Sequence, residues 1–336
     1  MNIALDIMSG DHGPLSNIKG AIQYIKNPLS NNSTVFLYGT ENIFKNNESL
    51  LNRYDNRIKK VITKEIITMD DKPSIAYRKK RNSSLIRTID DLNNNIVDAA
   101  VSSGNTGALL TSSLLILGKI QGIRRPAIAP YIPIKKSGFI LCDAGANSNI
   151  KPDHLVQFAL MSSAYLQHIG DVFNPRVALL NIGSEESKGN TLTVTAYPLL
   201  KDKIKNFVGN IESRELFNNK ADIVLCDGFT GNIVLKLIEG IIQNMINITI
   251  ESIDSHSISK LIKPALYPVF NDISKTFDYE EYGGTPILGV NGIVMKCHGS
   301  SNSKAIENAL LKTQLSHDND LIEDLEKIIN KNEILI

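Results

Sequence analysis

The sequence of 336 residues predicts an α/β fold in which helices cover a mostly parallel β-sheet. Short β-branched or apolar runs alternate along the chain with longer segments of helical periodicity, which is the rhythm of such sheets. Each run also ends in small and polar residues. The predicted strands are residues 3–7, 35–38, 99–101, 139–141, 177–181 and 223–226.

The polar segments that follow four of these strands are the first indication of a binding site. They occupy residues 102–105, 143–147, 181–184 and 227–232. The carboxyl ends of parallel strands meet at the same edge of a sheet, and ligands of open α/β sheets bind there. We therefore expect these loops to form one crevice.

Residues 233–251 carry the pattern of one long amphipathic helix. Val234, Ile238, Ile241, Met245 and Ile248 recur at helical spacing, which predicts a helix of about five turns with one apolar face. A second apolar segment, residues 257–270, is interrupted by two prolines. We expect a helical excursion over residues 232–276 that forms a dimer interface or a packed helical hairpin, or else a surface that touches lipid.

Composition narrows the class of protein. The chain has 36 Lys and Arg against 35 Asp and Glu, a net charge of +1, so no global field recruits nucleic acid and we expect no nucleic-acid partner. Cys142, Cys226 and Cys297 form no C-x-x-C pair or zinc-ligand spacing, which predicts a reducing compartment and no metal. Neither a signal leader nor a run of about 18 apolar residues is visible, so we expect a cytoplasmic protein.

The turn formed by Ser103, Gly104, Asn105, Thr106 and Gly107 is a candidate phosphate site. It follows a predicted strand and opens a predicted helix over residues 108–117, where free N–H groups and hydroxyls can receive an anion. The alternative is an ordinary capped turn, because Asn and Thr are good helix caps. The chain has no G-x-G-x-x-G and no G-x-x-x-x-G-K-[ST] pattern, so we expect no nucleotide cofactor.

Two further loops carry candidate catalytic residues. Lys188 lies in the polar loop 183–190, where its ammonium can meet a phosphoryl oxygen or merely solvate the loop. Asp227 and Asn232 lie at the junction of a strand and the long helix, where helix capping by Thr230 and Asn232 is the simpler interpretation. The functional interpretation gives Asp227 the role of ordering a lysine or holding a proton.

His298 lies at a predicted junction of a strand and a helix, after a hairpin turn at Asn291 and Gly292. A histidine there can protonate a leaving thiolate or bind phosphate, or it can hydrogen-bond a neighbouring loop. Cys297 beside it invites a Cys-His nucleophile. Adjacent strand residues point to opposite faces, however, which argues against that pair.

Positive charge is concentrated in residues 69–84 and at Arg124 and Arg125. Such runs are usually solvated faces. In an enzyme that acts on an acidic carrier protein, they would instead steer the encounter.

Taken together and in order, these segments resemble the bacterial fatty acyl-acyl carrier protein:phosphate acyltransferases, the PlsX family. The matching segments cover almost the whole chain. They are residues 4–6, 10–14, 71–73, 101–108, 125–129, 143–147, 181–183, 188–190, 227–232, 282–284, 289–292 and 298–301.

The resemblance implies one elaborated domain over residues 1–336 with a layered α/β/α subunit, similar to phosphotransacetylases and isocitrate-dehydrogenase-like folds. It implies transfer of a long-chain acyl group from acyl-acyl carrier protein to inorganic phosphate, giving acyl phosphate for phospholipid synthesis. The implied partners are a second copy of the chain, a peripheral contact with the inner face of the cell membrane and a downstream glycerol-phosphate acyltransferase.

Residue chemistry and the matched motifs together assign roles. Lys188, Asp227, Asn232 and His298 are the expected catalytic residues. Lys188 is expected to bind phosphate, and Asp227 to orient Lys188. Asn232 is expected to stabilise the oxyanion, and His298 to donate a proton to the sulfur. The expected substrate-binding residues are Ser103, Gly104, Asn105, Thr106, Gly107, Asn147, Asn291, Ser300 and Ser301.

Three other functions remain open at this point. A phosphotransacetylase would use short acyl-CoA as its donor. A decarboxylating dehydrogenase of related architecture would need a nucleotide site, and no nucleotide fingerprint is visible. A noncatalytic membrane scaffold would use only the apolar helical segment.

Overall fold

The computed structural model describes residues 1–30, 32–134, 137–170, 172–255 and 283–333. The strands are β1 Asn2–Asp6, β2 Thr34–Gly39, β3 Ile58–Ile62, β4 Ala99–Ser102, β5 Ala127–Ile128, β6 Tyr131–Ile134, β7 Ser137–Cys142, β8 Val177–Asn181, β9 Phe207–Glu212, β10 Ile223–Leu225, β11 Thr285–Leu288 and β12 Ile293–Lys296. The helices are α1 Leu15–Lys26, α2 Glu41–Asn46, α3 Glu48–Leu51, α4 Pro73–Lys79, α5 Ser84–Asn93, α6 Thr106–Ile116, α7 Pro152–Gly170, α8 Thr191–Lys203, α9 Gly228–Ser255, α10 Ser303–Asp318 and α11 Leu321–Glu333.

The strands form two sheets. The first has the order β3-β2-β1-β4-β12-β11-β5, and the second has the order β6-β7-β10-β8-β9. Pairing is parallel except where β11 meets its two neighbours and where β6 meets β7. The predicted α/β class with mostly parallel strands is therefore confirmed, and every predicted strand is present. The sequence predicted one sheet, and the structure has two. Apolar runs reveal which segments are buried but not which strands pair.

Helices cover both sheets and bury their apolar residues against them. The largest core cluster joins the two sheets through α1, α7 and α10. Buried hydrogen bonds reinforce this packing, as when the Tyr24 hydroxyl of α1 donates to the side chain of Gln314 in α10 at 2.6 Å. The core therefore lies at the level of the sheets and leaves the strand ends free for a site.

Side-chain caps begin several of the helices that follow strands. Asn105 accepts a hydrogen bond from the Ala108 N–H at the start of α6, and Asn190 accepts one from the Thr193 N–H at the start of α8. Asn302 accepts bonds from two N–H groups at the start of α10. These short polar side chains satisfy N–H groups that have no partner within the helix, so they fix where each helix starts.

The long helix predicted over residues 233–251 is present as α9, but its apolar face is divided. Val234 and Ile238 pack against the core of the second sheet. Ile241, Met245 and Ile248 are exposed instead. Ile238 also lines a cavity, together with Ile242 and Ile246, so α9 has apolar residues both on the cavity side and on an exposed side, which periodicity alone did not reveal. The part of the predicted excursion beyond residue 255 lies outside the described residues.

Candidate active site

A cavity of about 620 Å³ lies where the carboxyl ends of β4 and β12 face α9. Both sheets contribute to its wall. One part of the lining is polar, with the side chains of Thr106, Asn232, Lys236, Glu239, Lys296 and His298. The rest is largely apolar and includes Leu110, Ile128, Pro130, Ile132, Leu235, Ile238, Ile242 and Ile246. We call this space the first cavity. It can hold a ligand with a charged group and a long apolar group at the same time.

His298 is held in place by the loop that follows β12. Its Nδ1 lies 2.8 Å from the Ser300 hydroxyl and 3.3 Å from the Ser300 backbone nitrogen. Because an N–H donates to Nδ1, the proton of the neutral ring is on Nε2, which lies 3.8 Å from a Glu239 carboxylate oxygen. Burial lowers the pKa of His298, and the Glu239 carboxylate opposes that effect. The ring is therefore a neutral hydrogen-bond donor at pH 7.

Lys296 is the last residue of β12 and is only 8% exposed. Its ammonium donates to the backbone carbonyl of Cys297. Burial lowers the pKa of Lys296 to about 8. Lys236 also lines the first cavity, but its ammonium donates to Glu239 at 2.7 Å. Within the described part of the chain, the first cavity thus contains a lysine paired with a carboxylate and a buried lysine whose acceptor is a carbonyl.

Only some residues of the turn that was expected to bind phosphate line the first cavity, and the others hold the loop in place. Thr106 and Gly107 line the first cavity. The Asn105 side chain instead donates to the carbonyl groups of Met69 and Asp71, at 2.9 and 3.0 Å. It therefore fastens the preceding loop to the start of α6.

Ser103 and Gly104 are buried. The Ser103 hydroxyl donates to the Ser9 carbonyl at 2.9 Å, and the Gly104 N–H donates to the Ser102 hydroxyl at 3.0 Å. A side chain at Gly104 would meet the Ser9 hydroxyl oxygen at 2.7 Å, so the loop requires glycine there. These two residues shape the turn and do not line either cavity.

A second cavity of about 480 Å³ lies at the carboxyl ends of β8 and β10. Asp227 lines it together with Thr230, Gly189 and Asn190. The carboxylate of Asp227 accepts hydrogen bonds from two N–H groups of α9 and from the Thr230 hydroxyl, at 2.7–3.0 Å. Asp227 therefore caps α9, a role that was expected of Thr230 and Asn232 from the sequence.

Lys188 is exposed on the loop beside the second cavity. Its backbone N–H donates to the Glu185 carbonyl, and its own carbonyl accepts from the Asn181 side chain at 2.9 Å. Among the described residues its ammonium makes neither an ion pair nor a hydrogen bond with Asp227. The expected orientation of Lys188 by Asp227 is therefore absent from this structure.

The other expected substrate-binding residues lie outside both cavities. Asn147 is buried and donates to the Pro126 carbonyl at 2.7 Å and to the Asp143 carboxylate at 2.9 Å. Asn291 is exposed at the amino end of β12, whereas Lys296 is at its carboxyl end. Ser300 and Ser301 support the loop around His298.

The first cavity thus brings together Thr106, Gly107, Asn232 and His298 from the expected set. Lys236, Glu239 and Lys296 were absent from that set. Lys296 stands two positions before His298 on a predicted strand, so alternation would have placed both side chains on one face. Lys236 and Glu239 are three residues apart on the predicted helix, which is the spacing of an ion pair on one helical face.

Solved structures place this architecture in a known fold class. A phosphotransacetylase from Streptococcus pyogenes matches with a TM-score of 0.60 at 13% identity, covering 94% of this chain and 94% of that chain. A branched-chain phosphotransacylase from Enterococcus faecalis V583 also matches with a TM-score of 0.60 at 13% identity, covering 94% and 98%. The chain has the fold of these proteins, which confirms the expected fold similarity and by itself shows nothing more.

Sequence comparison identifies the family. The model of the fatty acid synthesis protein family matches residues 1–323. A phosphate acyltransferase of Clostridium kluyveri is 42% identical over 340 residues, covering 99% of this chain and all of that protein. One from Dictyoglomus thermophilum is 42% identical over 342 residues with the same coverage. The chain belongs to this family, and the expectation of an acyltransferase enzyme is confirmed.

No helix in the described part of the chain combines the length and the apolar composition needed to cross a membrane.

Proposed function

We propose that this enzyme transfers a long-chain fatty acyl group from acyl-acyl carrier protein to inorganic phosphate and releases acyl phosphate. The observation that supports this most strongly is the composition of the first cavity. Polar and cationic side chains lie beside an apolar wall within one space of about 620 Å³. A phosphate and a long acyl chain need this combination, because the anion requires donors and the chain requires desolvation.

The length of the apolar wall supports a long chain. The apolar cavity residues of α9 extend from Leu235 to Ile246. Eleven helical steps between them span about 16 Å. An extended hydrocarbon advances about 1.25 Å per carbon, from a bond of about 1.5 Å and an angle near 111°. This wall therefore has the length of an acyl chain of roughly 13 carbons.

The proposed reaction is a direct displacement. A phosphate oxygen attacks the thioester carbonyl, a tetrahedral oxyanion forms, and the C–S bond breaks as the C–O bond to phosphate is retained. The products are an acyl phosphate and a thiolate, which takes its proton from water because thiols have a pKa near 8.5. Holding phosphate beside the thioester turns a bimolecular encounter into a positioned one.

His298 and Asn232 are the proposed donors to the tetrahedral oxyanion. The neutral ring of His298 presents its Nε2–H toward the first cavity, and a neutral imidazole is too weak an acid to protonate the departing sulfur. We therefore revise its role from an acid for the thiolate to a hydrogen-bond donor. Fixed donors of this kind stabilise charge that develops in the transition state.

One experiment tests donor, acceptor and product together. The purified protein is incubated with long-chain acyl-acyl carrier protein and labelled phosphate, and hydroxylamine-sensitive acyl phosphate is measured. We expect product from the carrier-protein donor. A parallel reaction with acyl-CoA distinguishes a phosphotransacetylase, whose fold this chain shares. Labelled product from acyl-CoA alone, or no product from either donor, would contradict the proposal.

We further propose that the enzyme works as a homodimer on the cytoplasmic side of the membrane and passes acyl phosphate to a glycerol-phosphate acyltransferase. The exposed apolar stripe of α9 supports a contact with a second copy. The stripe consists of Ile233, Leu237, Ile241, Met245 and Ile248, each at least 49% exposed. Sedimentation of the wild type and of a Leu237→Lys variant tests this, and we expect the variant to be monomeric. Equal sedimentation of both, with loss of liposome binding in the variant, would assign the stripe to the membrane instead.

A further inference from the structure

Lys296 carries a buried charge that forms no ion pair among the described residues. Its ammonium lines the first cavity, and its one hydrogen bond within the described residues goes to the Cys297 carbonyl. Within those residues no carboxylate lies within 4 Å of this ammonium, whereas Lys236 in the same cavity is paired with Glu239. Buried charges in proteins are normally paired, because an isolated ion loses its hydration without compensation. The pairing partner of Lys296 is therefore expected to be a ligand.

The start of α6 provides a second set of donors at the same place. Lys296 is in register with Ser102 on the neighbouring strand β4, and that strand leads directly into α6. Thr106 and Gly107 line the cavity, and their backbone N–H groups have no acceptor among the described residues. The amino end of a helix carries partial positive charge and free N–H groups that point at an anion.

We propose that Lys296 binds the attacking inorganic phosphate, together with the N–H groups of Thr106 and Gly107 and the Thr106 hydroxyl. This inference rests on the proposed function, which names the reactants. The acyl chain is apolar and the thioester is neutral, so phosphate is the reactant with the charge that Lys296 requires. The proposed phosphate-binding lysine is therefore Lys296 at the buried end of β12, in place of Lys188 in the exposed loop.

The test separates phosphate binding from donor binding. Lys296→Met removes the charge and keeps a similar volume, and Lys296→Arg keeps the charge. We expect the KM for phosphate to rise at least about 30-fold in Lys296→Met, with less than a threefold change in the KM for the acyl donor. Lys296→Arg should recover part of the loss. Lys45→Met, which removes an exposed lysine paired with Glu41, is the control and should match the wild type.

A second readout needs no turnover. Inorganic phosphate should raise the thermal unfolding midpoint of the wild type in the absence of donor, and this rise should be lost in Lys296→Met. An unchanged KM for phosphate and an equal thermal shift in Lys296→Met would overturn the inference. Lysine-dependent phosphate binding without any acyl phosphate product would instead overturn the proposed function and leave the phosphate site standing. A variant that does not fold is replaced by Lys296→Gln, and circular dichroism confirms its fold.

Discussion

The two cavities differ in how their polar groups are satisfied. In the second cavity the carboxylate of Asp227 accepts three hydrogen bonds from the start of α9, and Asn181 is bonded to the Lys188 carbonyl. In the first cavity the Lys296 ammonium has, among the described residues, one acceptor, the Cys297 carbonyl. Polar groups whose hydrogen-bonding capacity is filled hold a structure together, whereas a buried ammonium without a carboxylate partner points to a ligand.

This difference distinguishes two lysines that occupy similar positions in the sequence. Lys188 and Lys296 both follow or end a strand, and both precede a helix. The first is exposed on a loop and the second is buried at a strand end. A charge in water is screened by solvent, but a charge in a buried cavity acts at low dielectric and contributes more to binding. The predictions below test this contrast between the cavities.

The largest expected effect is on turnover when His298 is changed. His298→Ala removes the donor that faces the first cavity, so kcat should fall about 10²- to 10³-fold with a smaller change in KM. Steady-state assay of acyl phosphate measures this. His317→Ala, at a half-buried histidine on α10, is the control and should retain full activity. Equal activity of the two variants would place the chemistry outside the first cavity.

A buried Lys296 with no ion pair in the described ranges should lower the stability of the free enzyme. Its pKa falls from 10.5 to about 8 on folding, which corresponds to a cost of about 3 kcal/mol when the group is charged in both states. Lys296→Met should therefore raise the free energy of unfolding at pH 7 in phosphate-free buffer, by roughly 1–3 kcal/mol. Urea denaturation measures it. A less stable variant would indicate that Lys296 is a structural residue.

The Lys296 ammonium also predicts how the stability difference between the wild type and Lys296→Met depends on pH. Between pH 8 and 10.5 the folded state releases the Lys296 proton while the unfolded state keeps it, so the wild type gains stability as pH rises. The advantage of Lys296→Met should shrink across that window. Burial is the largest cause, Lys236 lowers the pKa further, and Asp6, Asp11 and Cys297 oppose it. A constant difference from pH 7 to pH 10.5 would contradict this assignment.

The apolar wall should set acyl-chain length. Ile246→Trp places a large ring at the far end of the α9 wall, so kcat/KM for a long-chain donor should fall about tenfold while a short-chain donor is unaffected. Asn244→Trp, two residues away at an exposed position, is the matched control. A uniform loss for all chain lengths would mean that the acyl group does not lie along α9.

The smallest expected effect is at the second cavity. Lys188→Ala removes an exposed ammonium that has no fixed partner among the described residues, so kcat/KM should fall by only about fivefold. The assay is run with saturating phosphate and again with saturating donor, to show which substrate is affected. A loss greater than that of His298→Ala would shift the reaction to the second cavity and reverse the comparison.

Most of the fold was accessible from local patterns. Strands such as β8, over residues 177–181, were predicted to the residue because a short apolar run is bounded by polar turns. The sheet division was not predictable in this way. Strand β5 has two residues and β11 pairs antiparallel with β12, and short or hairpin-paired strands of this kind lack a distinctive apolar run.

The site was only partly accessible for a different reason. Sequence motifs locate loops, and the loops at Thr106, Asn232 and His298 do meet at one cavity. Motifs do not distinguish a ligand-binding polar residue from one that holds a loop, as Asn105 and Asn147 do here. Lys296 was missed because strand lysines are usually exposed, and its burial follows from tertiary packing.

A crystal structure of the enzyme grown with inorganic phosphate and a nonreactive long-chain acyl thioester analogue tests the central claim most directly. We predict phosphate within hydrogen-bonding distance of the Lys296 ammonium and the Gly107 N–H, with the acyl chain along the α9 wall of the first cavity. Phosphate bound beside Lys188 in the second cavity, with the first cavity holding neither ligand, would contradict this account.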